Sequence, residues 1–256
     1  MATYKKRGDK VKGENSERIS KVEQESTTAE VFNTLDERAS RSEEWVIKNQ
    51  QNIFILLGVV VACILGYLGY QKFVNEPNEK IAADELAFPK QYFDQALITA
   101  VSTDSLYILG LEGGEGKYGF LDISDQFSGT ASGNLANYYA GISYLKMKKY
   151  PEAIQYLEKF SSDDDLLGPV AKGAIGDAFA DLNQLEDALS YYEQAANLKQ
   201  NNFSTPLFLF KAGNIALDLG DASKALKMFN KIKQSYPSSE EAKNIEVYIN
   251  KAKYTN

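Results

Sequence analysis

An uninterrupted apolar stretch, Ile53 to Tyr70 (IFILLGVVVACILGYLGY), governs what this 256-residue chain can fold into. At ~1.5 Å of rise per helical residue it covers about 27 Å, and continuing to Val74 supplies enough length for a hydrocarbon core of about 30 Å. A core helix of a globular protein normally keeps a polar face, and the stretch from Ile53 to Leu65 has none. The sequence therefore predicts a single transmembrane helix over residues 53–74. Residues 1–52 are too long a lead for a cleaved signal peptide, so the span reads as an uncleaved signal anchor. Trp45 before it, and Tyr67, Tyr70 and Phe73 towards its far end, suit the aromatic belts of the two interfaces.

Charge near the span sets orientation only weakly. Arg38, Arg41 and Lys48 on one side balance Lys72, Lys80 and Lys90 on the other. The wider count, ten Lys/Arg in residues 1–52 against eighteen in residues 71–256, favours the N-terminus inside and the large segment outside. The single cysteine, Cys63, falls within the span, so no disulfide is expected in the soluble part. The net charge of −7 argues against a nucleic-acid partner.

Residues 1–27 carry too few apolar side chains to offset the entropy of ordering them, and a disordered tail is expected there. Over residues 28–52 the stripe Val31, Phe32, Leu35 and Ala39 predicts an amphipathic juxtamembrane helix. Such a helix would suit membrane lipid and a protein partner equally. Residues 75–133 read as a helical segment, kinked or broken at Pro89, with a flexible glycine-rich loop through Gly110, Gly113, Gly114, Gly116 and Gly119. Gly116-Lys117 superficially fits a phosphate-binding loop, but that motif needs Gly at 111 and Ser or Thr at 118, where the chain has Leu111 and Tyr118.

From Asn134 the chain repeats itself. Gly141, Gly176 and Gly213 fall in register near the middle of three predicted first helices. Ala153, Ala188 and Ala225 align in the second helices, each followed four residues later by Leu157, Tyr192 or Phe229. Spacings of 35 and 37 are close to a helix-turn-helix repeat of about 34 residues. The small residues allow close approach within a pair, and the bulky ones fill the gap beside it. Pro151, Pro169 and Pro206 suit first helical turns, Thr205 is a candidate cap, and Gly220-Asp221 marks a turn. Ser238 and Glu241 have capping-box spacing before a last helix running to about Tyr254.

These residues resemble the tetratricopeptide repeat family over Asn134 to Pro237. The resemblance implies an all-α fold: a single N-terminal transmembrane helix followed by a tetratricopeptide-repeat helical solenoid, with three repeats and a C-terminal capping helix in residues 134–256. By architecture and order of elements, Thr28 to the C-terminus also looks like the family of YfgM-type ancillary subunits of the bacterial Sec translocon. That resemblance implies a bacterial inner-membrane protein with a cytoplasmic N-terminus and a periplasmic repeat domain. Its implied partners are Sec translocon subunits, a PpiD-type membrane-anchored chaperone and unfolded secretory proteins. A structural scaffold of another membrane or envelope complex is the alternative.

Catalysis finds little support, since the chain has no histidine and its one cysteine lies in the span. Asp163, Asp164 and Asp165 lack the spaced ligands and closing glutamate of a calcium loop. No enzyme activity, cofactor or metal is expected. Carrying the repeat family's groove positions onto this register gives a partner-binding groove of Tyr138, Ile142, Lys146, Asp177, Asp181, Phe210, Asn214 and Asp218. Gly58, Ala62 and Gly66 form a smooth transmembrane packing face for another helix.

Overall fold

The computed structural model describes residues 45–99 and 103–254. The predicted tail and most of the amphipathic segment, including Val31, Phe32, Leu35 and Ala39, lie outside the described residues. The described chain is helical, with no strand and one isolated bridge, Gly114 to Lys117. It divides into two units, residues 1–69 and 70–256.

In the first unit, α1 (Gln50–Tyr70) buries none of its residues. Leu56, Leu57, Ile64 and Leu65 are all more than half exposed. A run of this length and apolarity with nothing packed on it has the character of a membrane span and lacks the burial of a core helix. It is the one helix among the described residues long and apolar enough to cross a bilayer. A Cβ built on Gly58 or Gly66 would meet no atom within 4 Å.

The second unit opens with a π-helical turn, Gln71–Asn75, so the α-helical geometry of α1 stops four residues short of Val74. Pro77 accounts for it: the ring has no N–H to offer and crowds the carbonyl four residues back. The wider turn, closed by the Glu76 N–H on the Gln71 carbonyl, makes room for that ring. Then α2 (Glu76–Ile98) runs through Pro89 as one continuous helix, so the chain does not stop there. Packing outweighs the lost hydrogen bond: Pro89 is fully buried, and its carbonyl lies 3.3 Å from where a side chain on Gly110 would begin. Gly110 belongs to α3 (Thr103–Glu112), and its lack of a side chain lets the two helices meet.

The glycine loop is a tight packed turn and not a slack connection. Gly113 and Gly116 have φ of 77° and 75°, and a Cβ on Gly119 would sit 2.2 Å from the Leu111 carbonyl. It leads to α4 (Phe120–Gln126) and α5 (Ala131–Lys146). Phe93 of α2 and Phe120 of α4 hold Tyr139 of α5 between them, at ring-centre distances of 5.0 and 5.2 Å. Thr130 caps α5 through Gly133 N, and the Glu79 carboxylate accepts from both the N–H and the hydroxyl of Ser132. A carboxylate at a helix N-terminus meets free N–H groups and the positive end of the dipole, so α2 is fastened to the first repeat.

Three helix pairs follow: α5 with α6 (Tyr150–Lys159), α7 (Leu167–Asp181) with α8 (Leu185–Leu198), and α9 (Ser204–Asp218) with α10 (Ala222–Ser235). Side chains built on Gly141, Gly176 and Gly213 would begin 2.5, 2.7 and 2.4 Å from Leu157, Tyr192 and Phe229. Those are the bulky residues that the register places opposite them. Each pair turns through the same two backbone bonds: Lys148, Asn183 and Gly220 bond back to residues 145, 180 and 217, and Lys149, Gln184 and Asp221 to 144, 179 and 216. Lys148, Asn183 and Gly220 have φ of 59°, 58° and 80°. A left-handed lysine is strained where glycine is not. Lys148→Gly is therefore expected to raise stability by about 0.5 kcal/mol, net of glycine's greater unfolded-state entropy, while Asn183→Gly stays near neutral; urea midpoints check both.

Two caps differ from the sequence reading. At α9 the cap is Asn201, whose Oδ1 accepts from Phe203 and Ser204 N–H; Thr205 is buried and accepts from Asn201 N instead. Asp164 does the same one repeat earlier for Leu166 and Leu167, and these bonds lower its pKa. At the C-terminus Ser239, not Ser238, accepts from Ala242 N, starting a 3-10 turn (Glu241–Asn244) before α11 (Ile245–Tyr254). Ile245, Ile249 and Ala252 of α11 bury against the third pair.

Candidate protein-binding surface

The first helices α5, α7 and α9 neighbour one another along the stack and carry all eight groove positions. Their apolar members are drawn into packing. Tyr138 is half-buried with its ring 5.2 Å from Phe160, and desolvation raises its phenol pKa. Ile142 packs against both clusters that flank it. Phe210 lies 4.6 Å from Tyr248 of α11, centre to centre, so the last helix covers it. Asn214 donates to the Phe210 carbonyl.

The charged members divide. Asp177 Oδ1 accepts from both Tyr192 Oη and Lys211 Nζ, each at 2.6 Å. Lys211 belongs to the next unit and its amine also sits 5.5 Å from the Tyr192 ring centre, so one carboxylate ties units two and three together. Desolvation first, and then the nearby Asp181 carboxylate, raise the pKa of the Tyr150 phenol. Lys146, Asp181 and Asp218 occupy equivalent places at the ends of the three first helices, and all three are exposed. The eight positions thus do not converge on one pocket. Tyr138, Ile142, Phe210 and Asn214 are half-buried, and Lys146, Asp181 and Asp218 are exposed.

Sequence reasoning missed the Asp177–Tyr192–Lys211 cluster, because its members are 15 and 34 residues apart and meet only when repeats stack. It also missed Gly173, although two glycines three residues apart on one helix face signalled close packing on two sides. A Cβ there would lie 1.9 Å from Phe208 of α9.

A cleft of about 280 Å³ lies between α6 and α7, walled by Leu157, Phe160, Ala171 and Leu198. Its polar edge satisfies itself: Tyr191 Oη donates to Glu158, and the Lys172 amine lies 5.4 Å from the Tyr191 ring centre. Desolvation first, then Glu158, pushes the Tyr191 phenol up to about 12. Tyr192 is raised too, by desolvation and Asp177. An unfolded tyrosine ionises near 10, so the folded state retains protons that the unfolded state has lost. Stability is expected to hold below pH ~10 and to fall as pH rises towards ~12. Tyr192→Phe should blunt that alkaline loss in urea titrations, at a cost of about 1 kcal/mol at neutral pH for the missing bond.

Comparison with known proteins agrees with the repeat geometry. The tetratricopeptide repeat family profile matches residues 138–205 and 174–240. A TPR repeat-containing protein of Methanocaldococcus jannaschii is 25% identical over 229 residues, covering 86% of this chain and 34% of that relative. The chain thus spans about a third of the length of the curated relative it matches. The matched stretch, residues 138–240, is a tetratricopeptide-repeat region, a repeat type that indicates protein binding.

Proposed function

We propose that this chain is a membrane-tethered adaptor acting as an accessory subunit of the Sec translocon, whose repeats hold a periplasmic chaperone of the PpiD type or emerging secretory proteins. The observation that carries the reading is the order of elements: an unburied apolar helix, then α2 fastened by Glu79, then a repeat stack with exposed charged residues at the ends of its first helices. The small-residue face of α1, Gly58, Ala62 and Gly66, is open to a neighbouring transmembrane helix. The N-terminus is assigned to the cytoplasm and the repeats to the periplasm of a bacterial inner membrane.

Purification from native membranes in mild detergent tests the assembly. Translocon subunits should co-purify, and recovery of an unrelated complex without them would favour a scaffold of another assembly. A reporter active only outside the cytoplasm, fused after Asn256, should be active. Silence from a stable fusion would reverse the orientation.

A further inference from the structure

The three second helices carry very different charge at the same register positions, which are exposed except at the half-buried Lys224 and Lys231. On α6 these are Glu152, Gln155 and Lys159, and on α8 Asp187, Ser190 and Gln194. On α10 all three are lysines: Lys224, Lys227 and Lys231. At spacings of three and four residues they share one helical face. It lies away from Ala225, Met228, Phe229 and Ile232, which α10 buries in the core. With Lys233, α10 carries four lysines and no carboxylate, whereas α8 carries three carboxylates and no basic residue. Lys224 pairs with Glu193 and Lys233 with Glu246. Lys227 and Lys231 form no ion pair with any described residue.

Packing does not explain this concentration, since the equivalent residues of the other two units hold the same fold without it. We propose that the α10 lysine face rests on the anionic headgroups of the membrane to which the chain is tethered. This rests on reading α1 as a span. Two unpaired lysines are a weak ligand for a bilayer in free solution, where each contributes roughly fivefold. A tether converts the contact into an intramolecular one at high effective concentration, so a patch this small suffices.

The test uses the full chain with Cys63→Ser and a fluorophore on Ser223→Cys, an α10 position beside the lysine face, in nanodiscs holding one copy and lipids with headgroup quenchers. Quenching should be strong when about a third of the lipid is anionic. It should fall several-fold in zwitterionic discs, in ~1 M salt, where screening reaches ~3 Å, and in Lys227→Gln/Lys231→Gln. Equal quenching in both lipids, or none in either, overturns the proposal. So does quenching that appears only when each disc holds two copies, which would make the face a contact between chains. A chain that fails to enter discs at all overturns the span reading itself, and purification with the discs separates that outcome from the others.

Discussion

Gly173→Ala should lower the thermal midpoint of the repeat unit by about 6–10 °C, corresponding to a net loss of about 2–3 kcal/mol. The new methyl carbon would begin 1.9 Å from Phe208 Cε1, and Phe208 is only 3% exposed, so the ring has no open direction in which to move. Alanine's better helix propensity returns about 1 kcal/mol, too little to offset the clash. Shrinking the obstacle in Gly173→Ala/Phe208→Leu should recover part of the loss. Gly114→Ala, where the added carbon meets Leu109 at an ordinary 3.5 Å, serves as a near-neutral control. Thermal melts followed by helical circular dichroism in detergent measure all three. A Gly173→Ala midpoint equal to the parent's would mean that units two and three do not pack as described.

Ile249→Ala should cost about 3 kcal/mol, because Ile249 is 2% exposed and its removal leaves a cavity at the end of the stack. The damage should be local. Contacts in a solenoid run only between neighbours, so amide exchange is expected to accelerate in α11 and α10 while α2 to α5 keep their protection. Loosening α11 also withdraws Tyr248 from Phe210, turning a covered groove position into an accessible one. Uniform acceleration across the unit would contradict this.

Much of the fold was legible because it repeats. The glycines at 141, 176 and 213 and their bulky partners could be aligned by spacing alone, and each of those pairs is in close contact in the structure. Apolarity alone marked α1 as a helix long and apolar enough to cross a bilayer. Pro89 suggested a break because local propensity knows nothing of the buried surface that keeps α2 continuous through it. The caps shifted by one residue at Ser239 and by four at Asn201 because several hydroxyl and amide side chains compete at each helix start, and only the backbone path selects one. The candidate groove was least legible. Family positions specify which residues lie on the first helices, but not that α11 would cover Phe210 or that Lys211 would claim Asp177.

The cleft beside Tyr191 has a mechanical meaning. Units two and three are joined by Gly173 against Phe208, by the shared Asp177 carboxylate and by broad contact between α8 and α9. Units one and two meet less extensively across α6 and α7, beside the open cleft of about 280 Å³. Pulled or heated, the stack has a fault line there: its C-terminal two thirds would come away as one block, leaving the first unit clasped to α2.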